Sequence, residues 1–320
     1  MRQIIGIYVL VAVLLPGLLL AQTREAGPWW PNPEWGPEDE AGASNRITPQ
    51  KVLQAIGTVR TGEIYDLAHA LEPGMPALFN RTYAIEASSR DPERGNNRYV
   101  GQEDFIAGQL GHLGTQLDAL AHAGRLVDME DGTTQPVFYN GFTSNEMDTR
   151  YGFAHLGVEN VKPIITRGVL IDIAGYKGER LPHGYEVTVE DLSGALERQG
   201  MSDADFTEGD AIVFRYGWAQ LWDQPEVVMM NGPGVGPAVA EWVIERRPAI
   251  FGSDTGSQIA VPGGGGGLHQ QFLTFNGIPM AEYMNLERLA ADEVYEFMFV
   301  VIPLRLEGAT GSPIRPLAIR

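Results

Sequence analysis

The sequence contains no cysteine in its 320 residues. This absence excludes disulfide bonds, thiolate metal sites and cysteine nucleophiles. Any chemistry that the protein performs must therefore use histidine, carboxylates, hydroxyl groups or a bound metal ion. Histidine is itself sparse, with six in the whole chain, so a local concentration of this residue is informative.

Positive charge is also in short supply. The chain has 23 Lys and Arg against 41 Asp and Glu, a formal net charge of −18. Nucleic-acid phosphate or an anionic membrane surface would be repelled, so we expect neither as a partner. The proportions of apolar and charged residues, 44% and 20%, are those of a soluble globular domain.

Two widespread active-site motifs are missing. The sequence has no Gly-x-Ser-x-Gly nucleophile elbow, which argues against a serine hydrolase of the α/β type. Its glycine-rich stretches at 232–236 and 263–267 complete neither a dinucleotide-binding nor a phosphate-loop pattern. We predict that both stretches are loops.

The N-terminus has the three-part pattern of a secretory signal. Met1-Arg2 precedes an apolar run over 4–15, and Pro16-Gly17 leads to Ala21. We predict a signal peptide over 1–21, a mature chain beginning near Gln22, and export to the periplasm. The alternative is an uncleaved anchor, but Pro16-Gly17 would interrupt a membrane-spanning helix, and we expect no membrane partner after cleavage.

The mature chain divides into an arm and a body. Residues 22–62 form an N-terminal arm rich in Trp and Pro, which ends in a short helix whose N-cap is Thr48. Residues 63–320 alternate between strand-like and helix-like segments, which predicts one α/β domain with a mixed, partly barrel-like sheet. The predicted strands are 63–67, 169–173, 211–215, 249–252 and 297–303, and the main helices begin at Thr188 and at Pro237.

Four polar side chains are concentrated between positions 112 and 122. In an extended chain His112, Gln116 and Asp118 point to one side, and a helical turn after Asp118 would return His122 to that side. This predicts a strand that turns into a helix at Gly114-Thr115. Burying each polar group without a partner costs roughly 1–3 kcal/mol, so a metal or catalytic site competes with a purely structural explanation. The nitrogen and oxygen donors suit Mn or Zn.

These residues carry a family resemblance. The pattern His112-x-Gly114-Thr115-x-x-Asp118-x-x-x-His122 resembles the His-x-Gly-Thr-His-x-Asp-x-x-x-His signature of the metal-dependent cyclase family, which includes bacterial kynurenine formamidase and isatin hydrolase. Further similar segments lie at 35–46, 215–218, 269–282 and 308–316, so the likeness extends over nearly all of the chain after about residue 30. Gln116 replaces the second signature histidine, as in a longer branch of the family.

The resemblance implies a swivelling β/β/α fold and a fuller site. His112, Gln116 and Asp118 are the expected metal ligands, His269 and Glu282 close the site, and His122 is the expected general base and acid, with Glu282 as a second catalytic residue. Mn is favoured slightly over Zn, because glutamine offers a harder oxygen donor than histidine.

The implied activity is hydrolysis of a cyclic amide, a lactone or an N-formyl amide of a small carbonyl substrate. The substrate can be aromatic, as in arylformamidases of tryptophan catabolism, and Trp30 or Trp218 could stack on it or simply pack in the core. The alternatives are an exported protein that binds a small molecule through a metal without turnover, and a family member that has lost its metal. We expect a homo-oligomer.

Overall fold

Short apolar runs of the sequence form the strands of one mixed sheet. The computed structural model describes residues 26–89, 96–229, 231–256 and 267–320. The predicted signal peptide over 1–21 lies wholly outside the described residues, and so does the predicted loop at 263–267 except for Gly267. The nine strands are β1 (Ile64–Asp66), β2 (Gln116–Asp118), β3 (Ile164–Asp172), β4 (Ala211–Arg215), β5 (Ile250–Ser253), β6 (Met280–Glu282), β7 (Glu296–Val301), β8 (Gly311–Pro313) and β9 (Leu317–Ile319).

The strands follow the order β1-β9-β7-β3-β4-β5-β6-β2-β8, and the sheet curls strongly into a half-barrel. The neighbouring strands β3, β4, β5 and β6 run parallel to one another, and the remaining neighbouring pairs of the sheet are antiparallel. Parallel strands are covered on both faces and therefore read as continuous apolar runs. This explains why the sequence alone located β4, in which four of five residues are buried.

Helices connect and cover the strands. Thr48 accepts a hydrogen bond from the Lys51 amide at the start of Pro49–Ile56, and Thr188 with Asp191 forms a capping box before Val189–Arg198. The other α-helices in the described part of the chain are Ser144–Met147, Ile173–Lys177, Pro225–Val228, Pro237–Glu245, Gly267–His269 and Glu287–Ala291. None of the helices described here is long and apolar enough to cross a membrane.

The sheet separates two apolar layers. Side chains alternate across each strand, so Phe214 joins the core on one face and Val213 the core on the other. Within the described residues, four two-stranded ribbons lie outside the main sheet: Tyr83–Ser89 with Gln102–Gly108, Arg125–Asp128 with Thr134–Val137, Asp148–Thr149 with Gly152–Phe153, and Glu186–Val187 with Gly234–Val235. The first ribbon is largely exposed on both faces, and it begins beside the functional site described below.

The N-terminal arm packs on the body through polar and aromatic contacts. Trp30 is buried, and Trp29 Nε1 donates to the Phe138 carbonyl oxygen. Asn32 and Asp39 both bind the hydroxyl group of Tyr139. These contacts fix the arm over the segment that follows the ribbon 125–137.

The local conformation around Gly114-Thr115 differs from the prediction. A 3₁₀ turn at Leu110–His112 precedes the strand Gln116–Asp118, and a turn closed by the hydrogen bond from the His122 amide to the Ala119 carbonyl follows it. The prediction of a strand turning into a helix at Gly114-Thr115 was therefore wrong. Gly114 has φ +59 and packs against Leu71, so it redirects the chain into the strand.

Candidate metal centre

Strand pairing assembles the polar side chains. β2 lies between β6 and β8, with Gln116 opposite Glu282 and Asp118 opposite Gly311. His269 lies at the end of the helical turn before the π-helical segment Gln270–Phe275. Three of the six histidines thereby meet around one carboxylate, although they lie up to 157 positions apart in the chain (269 − 112).

Asp118 is the centre of this arrangement and has no exposed surface. Its Oδ1 atom lies 2.9 Å from His112 Nδ1. Its Oδ2 atom lies 3.4 Å from His269 Nε2 and 3.7 Å from His122 Nε2. His269 Nε2 is also 3.3 Å from Glu282 Oε1, so this histidine lies between two buried carboxylates.

Gln116 lies between the same two carboxylates. Its Nε2 atom donates to Asp118 Oδ1 at 3.3 Å and to Glu282 Oε2 at 3.2 Å. Three buried oxygen atoms of the centre have no hydrogen-bond partner: Gln116 Oε1, Asp118 Oδ2 and Glu282 Oε1. An unsatisfied buried oxygen costs roughly 1–3 kcal/mol, and a cation bound among these three oxygens would offset that cost.

Two sets of ligand atoms are close enough to hold a cation. His112, Asp118 and His122 form one set, and Asp118, His269 and Glu282 form the other, with the donor atoms of each set within 4.8 Å of one another. Asp118 belongs to both. The donors are imidazole nitrogen and carboxylate oxygen, which are ligands that Zn and Mn accept.

Burial and neighbouring charges shift the pKa values of the residues in the centre in opposite directions. Burial would raise the pKa of Asp118, but His122, His112 and His269 together hold it well below its usual range. Burial and the charge of Asp118 raise the pKa of Glu282. Burial lowers the pKa of His122 to about 4 despite the nearby Asp118. Burial also acts to lower the pKa of His269, but Asp118 and Glu282 raise it to about 10.

An open cavity of about 470 Å³ leads to the centre. Four residues of the centre line it: Gln116, His122, His269 and Glu282. The other described lining residues are Leu78, Phe79, Arg81, Ala123, Gly124, Gly256 and Gln270. A cavity of this size accommodates a small organic molecule. The arrangement can bring a carbonyl group next to a cation and to the ring of His122.

The structure thus brings together all of the site residues that the sequence singled out: His112, Gln116, Asp118, His122, His269 and Glu282. Trp218 and Trp30 do not line this cavity; both are buried, and Trp218 Nε1 donates to the Val228 carbonyl oxygen. The sequence assigned no role to Arg81 or Thr310. Thr310 lies in the 308–316 segment of the family resemblance, whereas no sequence signal marked Arg81.

Residues 65–258 match the model of the Cyclase family, described as "Putative cyclase". The chain belongs to this cyclase family. No curated protein matches the sequence.

Solved structures share the cyclase fold. One, described as a novel cyclase, is 30% identical with a TM-score of 0.78, and the match covers 89% of this chain and 98% of that one. Isatin hydrolase A from Ralstonia solanacearum is 22% identical with a TM-score of 0.56, over 85% and 97% of the two chains. Isatin hydrolase A from Labrenzia aggregata, bound to benzyl benzoate, is 20% identical with a TM-score of 0.53, over 84% and 97%. The isatin hydrolases therefore share the fold of this cyclase-family protein.

Proposed function

We propose that the protein is a metal-dependent hydrolase that opens a cyclic amide or lactone, or cleaves an N-formyl amide, of a small carbonyl substrate. The observation that supports this most directly is a set of three buried oxygens without a hydrogen-bond partner, on Gln116, Asp118 and Glu282, next to an open cavity. A bound cation would give these oxygens a partner of opposite charge. The fold that the chain shares with isatin hydrolases adds support.

The residues present fit a divalent metal ion. Asp118, His269 and Glu282 supply two carboxylates and one imidazole that converge from two adjacent strands and a helical turn. Gln116 Oε1 is a further oxygen donor, and His112, which the sequence also predicts as a ligand, belongs to the other set with Asp118 and His122. A bound divalent ion lowers the pKa of water toward about 7 and polarises a carbonyl group.

His122 is the proposed group for proton transfer. Its lowered pKa keeps the ring neutral at pH 7, so it can accept a proton from water as the water oxygen attacks the carbonyl carbon. Asp118 Oδ2, 3.7 Å away, stabilises the imidazolium that forms. His122 then returns the proton to the leaving nitrogen or oxygen as the C–N or C–O bond breaks. Glu282 lines the same cavity and is the second catalytic residue in this proposal.

The test is elemental analysis of protein purified without chelator, combined with hydrolysis assays on formylkynurenine, isatin and simple lactones. We expect stoichiometric Mn or Zn, with activity lost on chelation and restored by the metal. A metal-loaded protein that binds these compounds but turns none over would support the second candidate, an exported small-molecule binding protein. A protein that holds no metal would overturn both.

Export and assembly belong to the same proposal. The apolar N-terminal run supports secretion, and the intact mass of protein from its native host would show a chain beginning near Gln22. A full-length cytosolic species would contradict this. Light scattering of the purified protein would test the expected homo-oligomer, and a monomer at all concentrations would reject it.

A further inference from the structure

Arg81 is the single lysine or arginine among the described residues that line the cavity. Its Nη1 atom donates to the His112 carbonyl oxygen at 2.9 Å, and its guanidinium lies 5.5 Å from the ring centre of Phe79. No carboxylate in the described part of the chain lies within ion-pair distance of it. A guanidinium carries five N–H donors, so most of them are available to a ligand.

The backbone before Arg81 is strained. Phe79 and Asn80 both have left-handed backbone angles, with φ +56 and +57, in the turn Leu78–Asn80. For residues other than glycine this conformation costs free energy and persists where the surrounding structure requires it, often at binding sites. The Arg81 amide closes the turn by donating to the Leu78 carbonyl oxygen. The turn and the contact with His112 together hold the guanidinium at the cavity wall.

Two apolar side chains accompany this positive charge. Phe79 is 80% exposed, and it lines the cavity together with Leu78. An exposed aromatic ring on a strained backbone is unfavourable in water, and contact with a ligand would remove part of that cost. The wall therefore combines one cation with an apolar surface.

We propose that Arg81 binds a carboxylate of the substrate, and that Phe79 and Leu78 contact the apolar part of the same molecule. The inference builds on the proposed hydrolase, because it names the chemical class of its substrate: a small carbonyl compound that is anionic at neutral pH. A chain with a net charge of −18 repels anions at long range, so the positive charge of Arg81 favours an anionic ligand locally, in addition to the proposed metal ion. Planar guanidinium groups match carboxylates with two parallel hydrogen bonds.

The test compares an acid with its uncharged ester. KM and kcat are measured for N-formylanthranilate and its methyl ester with the wild type, Arg81→Gln, Arg81→Lys and the exposed control Arg150→Gln. Glutamine retains a donor for the His112 carbonyl oxygen but removes the charge. We expect Arg81→Gln to raise KM for the acid by about 10–100-fold and to change KM for the ester by less than about threefold, since charge-assisted hydrogen bonds have this strength. The KM of Arg81→Lys for the acid should lie between those of the wild type and Arg81→Gln, and Arg150→Gln should match the wild type.

Binding without turnover gives an independent measurement. Calorimetric titration of the metal-loaded protein with anthranilate and with its neutral analogue 2-aminobenzamide should show tighter binding of the anion, and Arg81→Gln should remove that difference while metal content by elemental analysis stays unchanged. If the wild type hydrolyses neither compound but the titration shows this dependence, the proposed hydrolysis of such substrates fails and the role of Arg81 stands. The inference is wrong if Arg81→Gln changes KM for the acid and the ester equally, changes neither, or lowers the metal content. Arg81 then only supports His112.

Discussion

The ring of His112 is fixed at both of its nitrogen atoms. Nε2 lies 2.7 Å from the Thr310 hydroxyl oxygen, and Nδ1 lies 2.9 Å from Asp118 Oδ1. Thr310 is itself held in place, because the Ala119 amide donates to its carbonyl oxygen. The next residue must be glycine, since a Cβ atom at Gly311 would lie 2.7 Å from two backbone oxygens and 2.9 Å from the His112 ring. The C-terminal segment therefore orients a histidine that lies 198 positions earlier.

Thr310→Val should weaken the metal centre without removing a ligand. Valine keeps the shape of threonine but lacks the hydroxyl group that orients His112, and loss of such orienting groups lowers metal affinity or activity about 10–100-fold. Titration of the apoprotein with Mn and steady-state kinetics would measure this. Thr310→Ser should retain the wild-type values, as should Thr134→Val on the exposed ribbon. An unchanged metal affinity and kcat in Thr310→Val would show that the contact has no role.

Asp118→Ala should lose both metal and activity. The carboxylate is common to both sets of candidate ligands and is the one fully buried charge on β2. Elemental analysis and assays with added metal measure the loss, and circular dichroism reports whether the fold is kept. Asp131→Ala, at an exposed position, serves as the matched control. Retention of stoichiometric metal in a folded Asp118→Ala variant would contradict the proposed centre.

His122→Ala should leave the metal content almost unchanged and lower kcat by about 10²–10⁴, the usual contribution of a positioned proton-transfer group. The ring faces the cavity with its side chain 25% exposed, whereas Asp118, His269 and Glu282 can hold a cation without it. His155→Ala, which removes a hydrogen bond between His155 and Glu40 away from the cavity, is the control. If His122→Ala strips the metal, this histidine is a ligand; if it stays fully active, proton transfer belongs to another residue.

Gln116→His should shift metal preference from Mn toward Zn. The substitution replaces a neutral oxygen donor with an imidazole nitrogen at the position where the family signature has histidine. Competition between the two ions, followed by elemental analysis, measures the shift. Gln116→Ala should weaken the binding of both ions alike. If Gln116→His and Gln116→Ala show the same Mn-to-Zn ratio, the side chain at position 116 has no role in metal selection.

Asp254 should make the stability of the protein depend on pH. Burial raises its pKa to about 7, although the backbone amides of Tyr216 and Trp218 donate to the carboxylate and act to lower it. The folded protein then binds more protons than the unfolded chain between about pH 4 and pH 7. The contribution of protonated Asp254 to the free energy of unfolding is therefore complete below that window and is lost as pH rises through it. The slope is on the order of 1.4 kcal/mol per pH unit for one such group.

Urea unfolding of the wild type and Asp254→Asn at several values between pH 5 and pH 8 tests this prediction. The free energy of unfolding should fall with pH more steeply in the wild type, because asparagine does not titrate. Asp131→Asn, at an exposed position, should keep the wild-type slope. Parallel pH profiles for the wild type and Asp254→Asn would contradict the raised pKa.

The sequence by itself determined the elements whose signals are local. A buried apolar run specified the strand Ala211–Arg215, and the caps at Thr48 and Thr188 specified where two helices begin. Hydrogen bonds between near neighbours and continuous burial are the physical origin of these signals. The spacing of His112, Gln116, Asp118 and His122 also identified one half of the candidate site, although the predicted strand-to-helix turn was wrong because Gly114 redirects the chain before the strand.

Only the tertiary structure decided how the site closes. Gln116 and Glu282 lie 166 positions apart, and it is the antiparallel register of their strands that places them opposite each other. Thr310 reaches His112 by a second antiparallel pairing on the other side of the same strand, and Arg81 reaches the cavity through a strained turn. Such contacts depend on strand register and on packing between distant segments. No local pattern of residues encodes them, which is why the sequence assigned no role to Thr310 or Arg81.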